Sequence, residues 1–126
     1  MKRLLLPILI LLGIVAFSLW NSTTLERSAQ RWCSQLEGAS ALAAGEKWDG
    51  AAAALEGSYR DWERHQMYLH IVASHDAVDS AEAMYRRAMA FGATRELSEF
   101  LAETADLSAH LTMLAQSEGL RLSNIL

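Results

Sequence analysis

The feature that most constrains this chain is an uncharged stretch over residues 4–25, whose apolar part is Leu4–Trp20 (LLLPILILLGIVAFSLW). As a helix that part rises roughly 26 Å at about 1.5 Å per residue, and about 33 Å once Asn21–Leu25 is added, against a hydrocarbon core of about 30 Å. Lipid offers the backbone no hydrogen-bond partner, so a single span has to be helical. Pro7 falls in the first turns, where its missing N–H does little harm. Phe17 and Trp20 fall near the far end, where aromatic rings suit the interface. Lys2 and Arg3 precede the run and direct its start to the cytoplasm, which places everything after Trp20 outside. The expectation is a membrane anchor over residues 1–21, in contact with the lipid bilayer through residues 4–20. An extracytoplasmic domain then occupies residues 22–126. The competing reading is a cleaved signal peptide, cut after Ser18 behind the small residues Ala16 and Ser18, which would yield a secreted helical protein. The bulk of Phe17–Trp20 and the lack of a helix breaker before the site speak against cutting.

About 105 residues follow the anchor, enough for one domain with a modest core. All 15 acidic residues lie in that part, with 9 of the 11 basic ones, so the outer part carries a net charge of −6. That balance excludes nucleic acid and electrostatic adhesion to anionic lipid. The single cysteine, Cys33, cannot close an internal disulfide. It is read as a small buried apolar residue, with an intermolecular bridge as the alternative. The sole proline is Pro7, and alanine, leucine and glutamate are abundant. With no strand-like alternation, the fold class expected is all-α: a transmembrane helix followed by an antiparallel bundle of three to four helices.

The helical seams can be read in order. Thr23 and Glu26 have capping-box spacing, so a helix either restarts there or runs on from the anchor. Leu25, Ala29, Trp32, Leu36, Ala39 and Ala43 recur at alternating spacings of four and three, and Gly45 is the expected stop. Trp48, Ala52, Leu55, Tyr59 and Trp62 form a second seam. It dies near Trp62–Gln66, and a third appears on another face with Tyr68, Ile71, His75, Val78, Tyr85 and Met89, with Ala81 and Ala88 alongside. Residues 46–91 therefore form either two helices or one long helix serving partners on different faces. The single helix would be roughly 69 Å long, too long for its neighbours to cover, which favours a break. Gly92 is expected to end this region, with Thr94 as the next cap and Glu96 and Glu99 near the following N-terminus. Leu97, Phe100, Leu101, Leu107, Leu111 and Leu114 form the last seam, with Thr104 its polar member. Gly119 is expected to close that helix, leaving a tail, residues 119–126, that packs back on the bundle through its aliphatic residues.

On these residues the chain resembles the bacterial domain of unknown function 4363 family. The resemblance rests on the basic start and single span, the turn Gly45-Glu46-Lys47-Trp48, and a second tryptophan, Trp62. It also rests on the element His75-x-x-Val78-Asp79 and the ending Leu122-Ser123-Asn124-Ile125-Leu126. Where the family usually has an acidic residue two after the histidine, this chain has Ala77. The resemblance implies a single-pass helical protein of unassigned function, working beside other small integral membrane proteins of the cell envelope.

The candidate site residues are few. His75 and Asp79 lie four apart on one helix face and could serve as a metal-ligand pair or an oriented acid/base histidine, with His110 as a further donor. The plainer reading is a histidine holding a carboxylate to fix helix register. Trp48 and Trp62, like Trp32 and Tyr59, lie on seams and are expected in the core, with a ligand pocket as the lesser alternative. Asn124 and Ile125 could form a docking signal, or fill a groove and satisfy backbone groups. No cofactor and no catalytic residue is assigned. The function expected is a non-enzymatic, membrane-anchored interaction module with an envelope protein as partner. The rivals are a metal-dependent or acid/base enzyme centred on His75 and Asp79, and a sensor signalling through the span.

Overall fold

The computed structural model describes residues 2–66, 69 and 75–125, with side chains described for 3–17, 19, 20, 24–66, 69 and 75–116. The chain is all-α. Helix α1 runs over Lys2–Ala44, α2 over Trp48–Arg64, α3 over His75–Ala93 and α4 over Leu97–Ile125. The helices alternate in direction, and each packs on two neighbours: α1 on α2 and α4, α3 on α2 and α4.

The first seam is buried as written. Leu25, Ala29, Trp32, Leu36, Ala39 and Ala43 are each at most 4% exposed. It does not restart at Thr23: α1 is one unbroken helix of 43 residues, about 64 Å long. Intrahelical bonding already satisfies the amides that a capping box would serve. On α2 the buried face is Ala51, Leu55, Ser58 and Trp62, while Trp48 and Tyr59 are half-buried and Ala52 is exposed. The seam is thus rotated from the one expected, because Ser58 is drawn inward by a hydrogen bond to Tyr85 (Oγ to Oη, 2.8 Å). The expected break is present, since α2 ends at Arg64. On α3 the buried residues are Val78, Ala81, Tyr85 and Ala88; His75, assigned to that seam, is exposed at the helix start. Tyr68 and Ile71 lie outside the described residues. On α4, Phe100, Thr104, Leu107, Leu111, Leu114 and Ala115 are buried. Leu97 lies 36% exposed at the first position.

The two turns far from the apolar run share one design. Glu46 N–H donates to Ala43 C=O (2.9 Å) and Lys47 N–H to Leu42 C=O (2.8 Å); Arg95 N–H donates to Gly92 C=O (3.2 Å) and Glu96 N–H to Phe91 C=O (2.9 Å). These paired bonds are Schellman caps, and they put a left-handed residue just beyond each helix. Those residues are Glu46 (φ 61°) and Arg95 (φ 55°), and no described glycine has positive φ. α1 stops directly before Gly45, as expected, but neither Gly45 nor Gly92 takes the left-handed conformation. Gly92 stays inside α3, where a Cβ would stand 3.3 Å from the Phe100 ring. Thr94 is not the cap of α4, which starts at Leu97. Its hydroxyl donates to the Glu96 carboxylate (2.7 Å), with the Ala90 carbonyl 3.2 Å away. Nor does Gly119 close the last helix: α4 runs through it to Ile125.

Among the described residues no helix is long and apolar enough to cross a membrane.

Candidate functional site

The residues singled out from sequence do not converge. His75 and Asp79 are both exposed at the start of α3. His110 does approach them from α4, but its ring is committed elsewhere: Nε2 lies 2.8 Å from the Ala77 carbonyl. A carbonyl can only accept, so Nε2 carries the proton, and the Nδ1 lone pair completes no metal site with His75 and Asp79 among the described residues. Among the described residues no group of three His, Cys, Asp or Glu side chains could hold a metal ion. Trp62 is fully buried against Tyr59 and Tyr85, with ring centroids 6.1 and 5.5 Å away. Trp48 is half-buried, edge-on to Phe100 at 5.6 Å. Both tryptophans are packing residues. The side chains of Asn124 and Ile125 lie outside the described residues.

A more concentrated polar cluster joins α1 to α2, and periodicity gave no sign of it. Asp61 Oδ2 accepts from Arg31 Nε (2.6 Å) and from the indole N–H of Trp32 (3.0 Å). His65, one turn on, donates from Nδ1 to the Asp61 carbonyl (2.8 Å) and sets its ring edge-on to Trp32 at 5.7 Å. Trp32 is wholly buried and its N–H needs a partner there. Asp61 supplies that partner while its charge is neutralised by the half-exposed Arg31. The partners are 29 and 30 residues apart, a separation no local pattern encodes.

Each adjacent helix pair has such a tie. Ser58 and Tyr85 join α2 to α3, assisted by Tyr59 donating to Glu82 (3.2 Å). Arg87 and Glu103 pair at 2.8 Å between α3 and α4. Between α4 and α1, Ser40 donates to Thr104 (2.8 Å), whose own hydroxyl donates to the Phe100 carbonyl one turn back. Cys33, half-buried, points its thiol at the Ser108 carbonyl (3.4 Å). Burial pushes the Tyr85 phenol well above its ordinary value, against a smaller pull from its bond to Ser58. These polar residues tie adjacent helices together; Ser40 and Thr104 also line an open cleft with Glu37 and Ser108.

The surface tells more than the polar residues. Fourteen large hydrophobic side chains are exposed among the described residues, and twelve of them lie between Leu4 and Trp20. On the bundle itself only Leu97 and Met113 stand out. The leftover apolar or aromatic patch that an interaction module would need is therefore not found on the described bundle surface. It is found on the first half of α1.

Neither a curated protein nor a solved structure matches the sequence. The family described as Domain of unknown function (DUF4363) matches residues 19–125, which begins at the end of the apolar run and takes in the whole bundle. The chain belongs to that family.

Proposed function

We propose that the protein is a bitopic envelope protein whose helix α1 anchors the bundle to the cytoplasmic membrane and meets a protein partner there. The observation that carries this reading is the segregation of exposed apolar surface. From Leu4 (69% exposed) to Trp20 (64%) large side chains face outward, while the seams of the bundle are consumed internally. Burying a side chain of that size is worth about 1.5–3 kcal/mol, so lipid is the environment that this half of α1 calls for. Lys2 and Arg3 keep the short basic start inside and direct the bundle, net negative, outward. The unbroken course of α1 across Ala16–Ser18 favours a retained anchor over a cleaved leader.

An interaction role then falls to the anchor. With no large apolar patch on the described bundle, a small integral membrane protein would pack against α1 within the bilayer. Gly13, where a Cβ would meet nothing within 4 Å, leaves room for close approach there. The test has two parts. The chain is expected to stay with the membrane pellet through an alkaline carbonate wash, and a cysteine at Met113 to react with a membrane-impermeant maleimide added outside intact cells. Recovery in the soluble fraction, or labelling only after lysis, would refute the anchor or its direction. A photocrosslinker at Gly13 should capture a partner that one at Met113 does not.

A further inference from the structure

The seam between α1 and α4 opens two recesses to the surface. One is a cleft of about 440 Å³, lined by Glu37 and Ser40 of α1 and by Leu101, Thr104, Ala105 and Ser108 of α4. The other, of about 200 Å³, is lined by Glu26 and Gln30 of α1 and by Thr112 and Gln116 of α4. Between them Cys33 closes the seam, its thiol 3.4 Å from the Ser108 carbonyl and 3.5 Å from the Thr112 hydroxyl. The two recesses share one plan: a single carboxylate among neutral side chains, with no basic residue in the lining. Glu26 and Glu37 are both exposed, and neither has an ion pair among the described residues. They stand eleven residues apart on α1, which is about 16 Å along the axis and close to three full turns. Beside the seam the exposed residues include Ala41 and Ala44 of α1 and Ala105 and Ala109 of α4, whereas α2 exposes Asp49, Glu56, Arg60, Glu63 and Arg64. Met113 is outside the lining of both recesses.

We propose that this seam is the docking groove for a helix of another protein, one that presents two basic side chains eleven residues apart. Positions i and i+11 of a helix lie within about 20° of one another, so both side chains point the same way. A helix laid along the seam then sets one cation in each recess. The first meets Glu37, with the hydroxyls of Ser40 and Ser108 as further acceptors; the second meets Glu26, with Gln30 and Thr112. The short alanine side chains beside the seam let its backbone come close, as a helix in a groove requires. A second copy of this chain fits less well. A two-fold axis running along the seam, or across it, sets one glutamate against another, and like charges so placed oppose association. The contact belongs to the bundle and holds whether or not α1 crosses a membrane.

The test uses the full chain in neutral detergent micelles. The probe is a fluorescent, alanine-rich helical peptide with two lysines eleven residues apart, and anisotropy at low salt reads its binding. Saturable binding is expected, and Glu26→Gln with Glu37→Gln should weaken it by about tenfold. A peptide whose lysines are nine residues apart, and so on opposite sides of its helix, should bind the parent chain more weakly by about the same factor. Glu56→Gln with Glu63→Gln, on α2, should leave binding unchanged. Both seam glutamates are exposed, so their variants should keep the helical circular dichroism of the parent. No saturable binding, equal binding of the two peptides, or binding indifferent to the seam variant would each overturn the proposal. With Cys33→Ser in place, ready disulfide formation between two copies of Ala105→Cys would assign the face to a second copy and overturn it as well.

Discussion

Asp61 is the residue on which the most depends for its size. Its carboxylate takes the N–H of a wholly buried tryptophan and the guanidinium of Arg31 on the same oxygen. Asp61→Ala leaves the Trp32 N–H buried and unpaired, at a cost of about 1–3 kcal/mol. Asp61→Asn keeps an acceptor and should lose less; chemical denaturation of the two variants checks the order. Trp62 supplies the contrast. Its indole N–H is buried without a partner among the described residues, so Trp62→Phe sheds an unsatisfied donor and should be milder than Trp32→Phe. Tyr85 gives a pH dependence. Its phenol is held above the usual value near 10, so the neutral form is the one the fold favours. The stability it contributes is complete below the unfolded-state value and is lost as pH rises toward the folded one. Unfolding free energy should therefore decline above about pH 10, and Tyr85→Phe should flatten that decline even though it leaves Ser58 without its partner.

At the scale of elements, the apolar repeats announced the helices, and long-range hydrogen bonds adjusted which residues faced inward. The α1 seam was legible because Leu25, Trp32, Leu36 and the alanines repeat on one helix face and are all buried there. The α2 seam was read from apolar residues alone and so left out Ser58, to which Tyr85 offers a hydroxyl 27 residues away. The stop of α1 at Gly45 was legible in the sequence, but the residue that turns left-handed was not. Glycine was expected at the left-handed positions, and Glu46 and Arg95 hold them instead. A side chain in that conformation is strained by roughly 1 kcal/mol, so Glu46→Gly and Arg95→Gly should each raise stability by about that amount, read as a higher melting temperature. The length of α4 was missed because Gly119 looked like a stop, whereas one glycine inside a helix costs only about 1 kcal/mol.

For the whole molecule, the unbroken α1 is the organising member. Its second half forms one wall of the bundle and its first half carries the exposed apolar side chains, with no hinge between them. The amides of residues 25–44 should therefore lose hydrogen-exchange protection in the same denaturant range as those of α2, α3 and α4. Those of residues 4–20 should keep their protection in vesicles beyond that range, since lipid holds them independently of the bundle. A separate, earlier loss in residues 25–44 would show that the bundle is not one cooperative unit.

Hydrophobic spacing by itself determined that this chain is helical and where its first and last seams run, because burial of apolar stripes is a local, periodic demand; it left residues 46–91 open between one helix and two, which the structure decided. It also placed the one long uncharged run. Only the tertiary structure decided which polar residues matter. Asp61 with Trp32, Ser58 with Tyr85 and Ser40 with Thr104 are bonds between helices, and a one-dimensional pattern holds no record of which helices will be neighbours. The same is true of His75 and Asp79: their spacing put them on one face, but whether that face meets further ligands depends on where α4 lies, and among the described residues no group of three His, Cys, Asp or Glu gathers there.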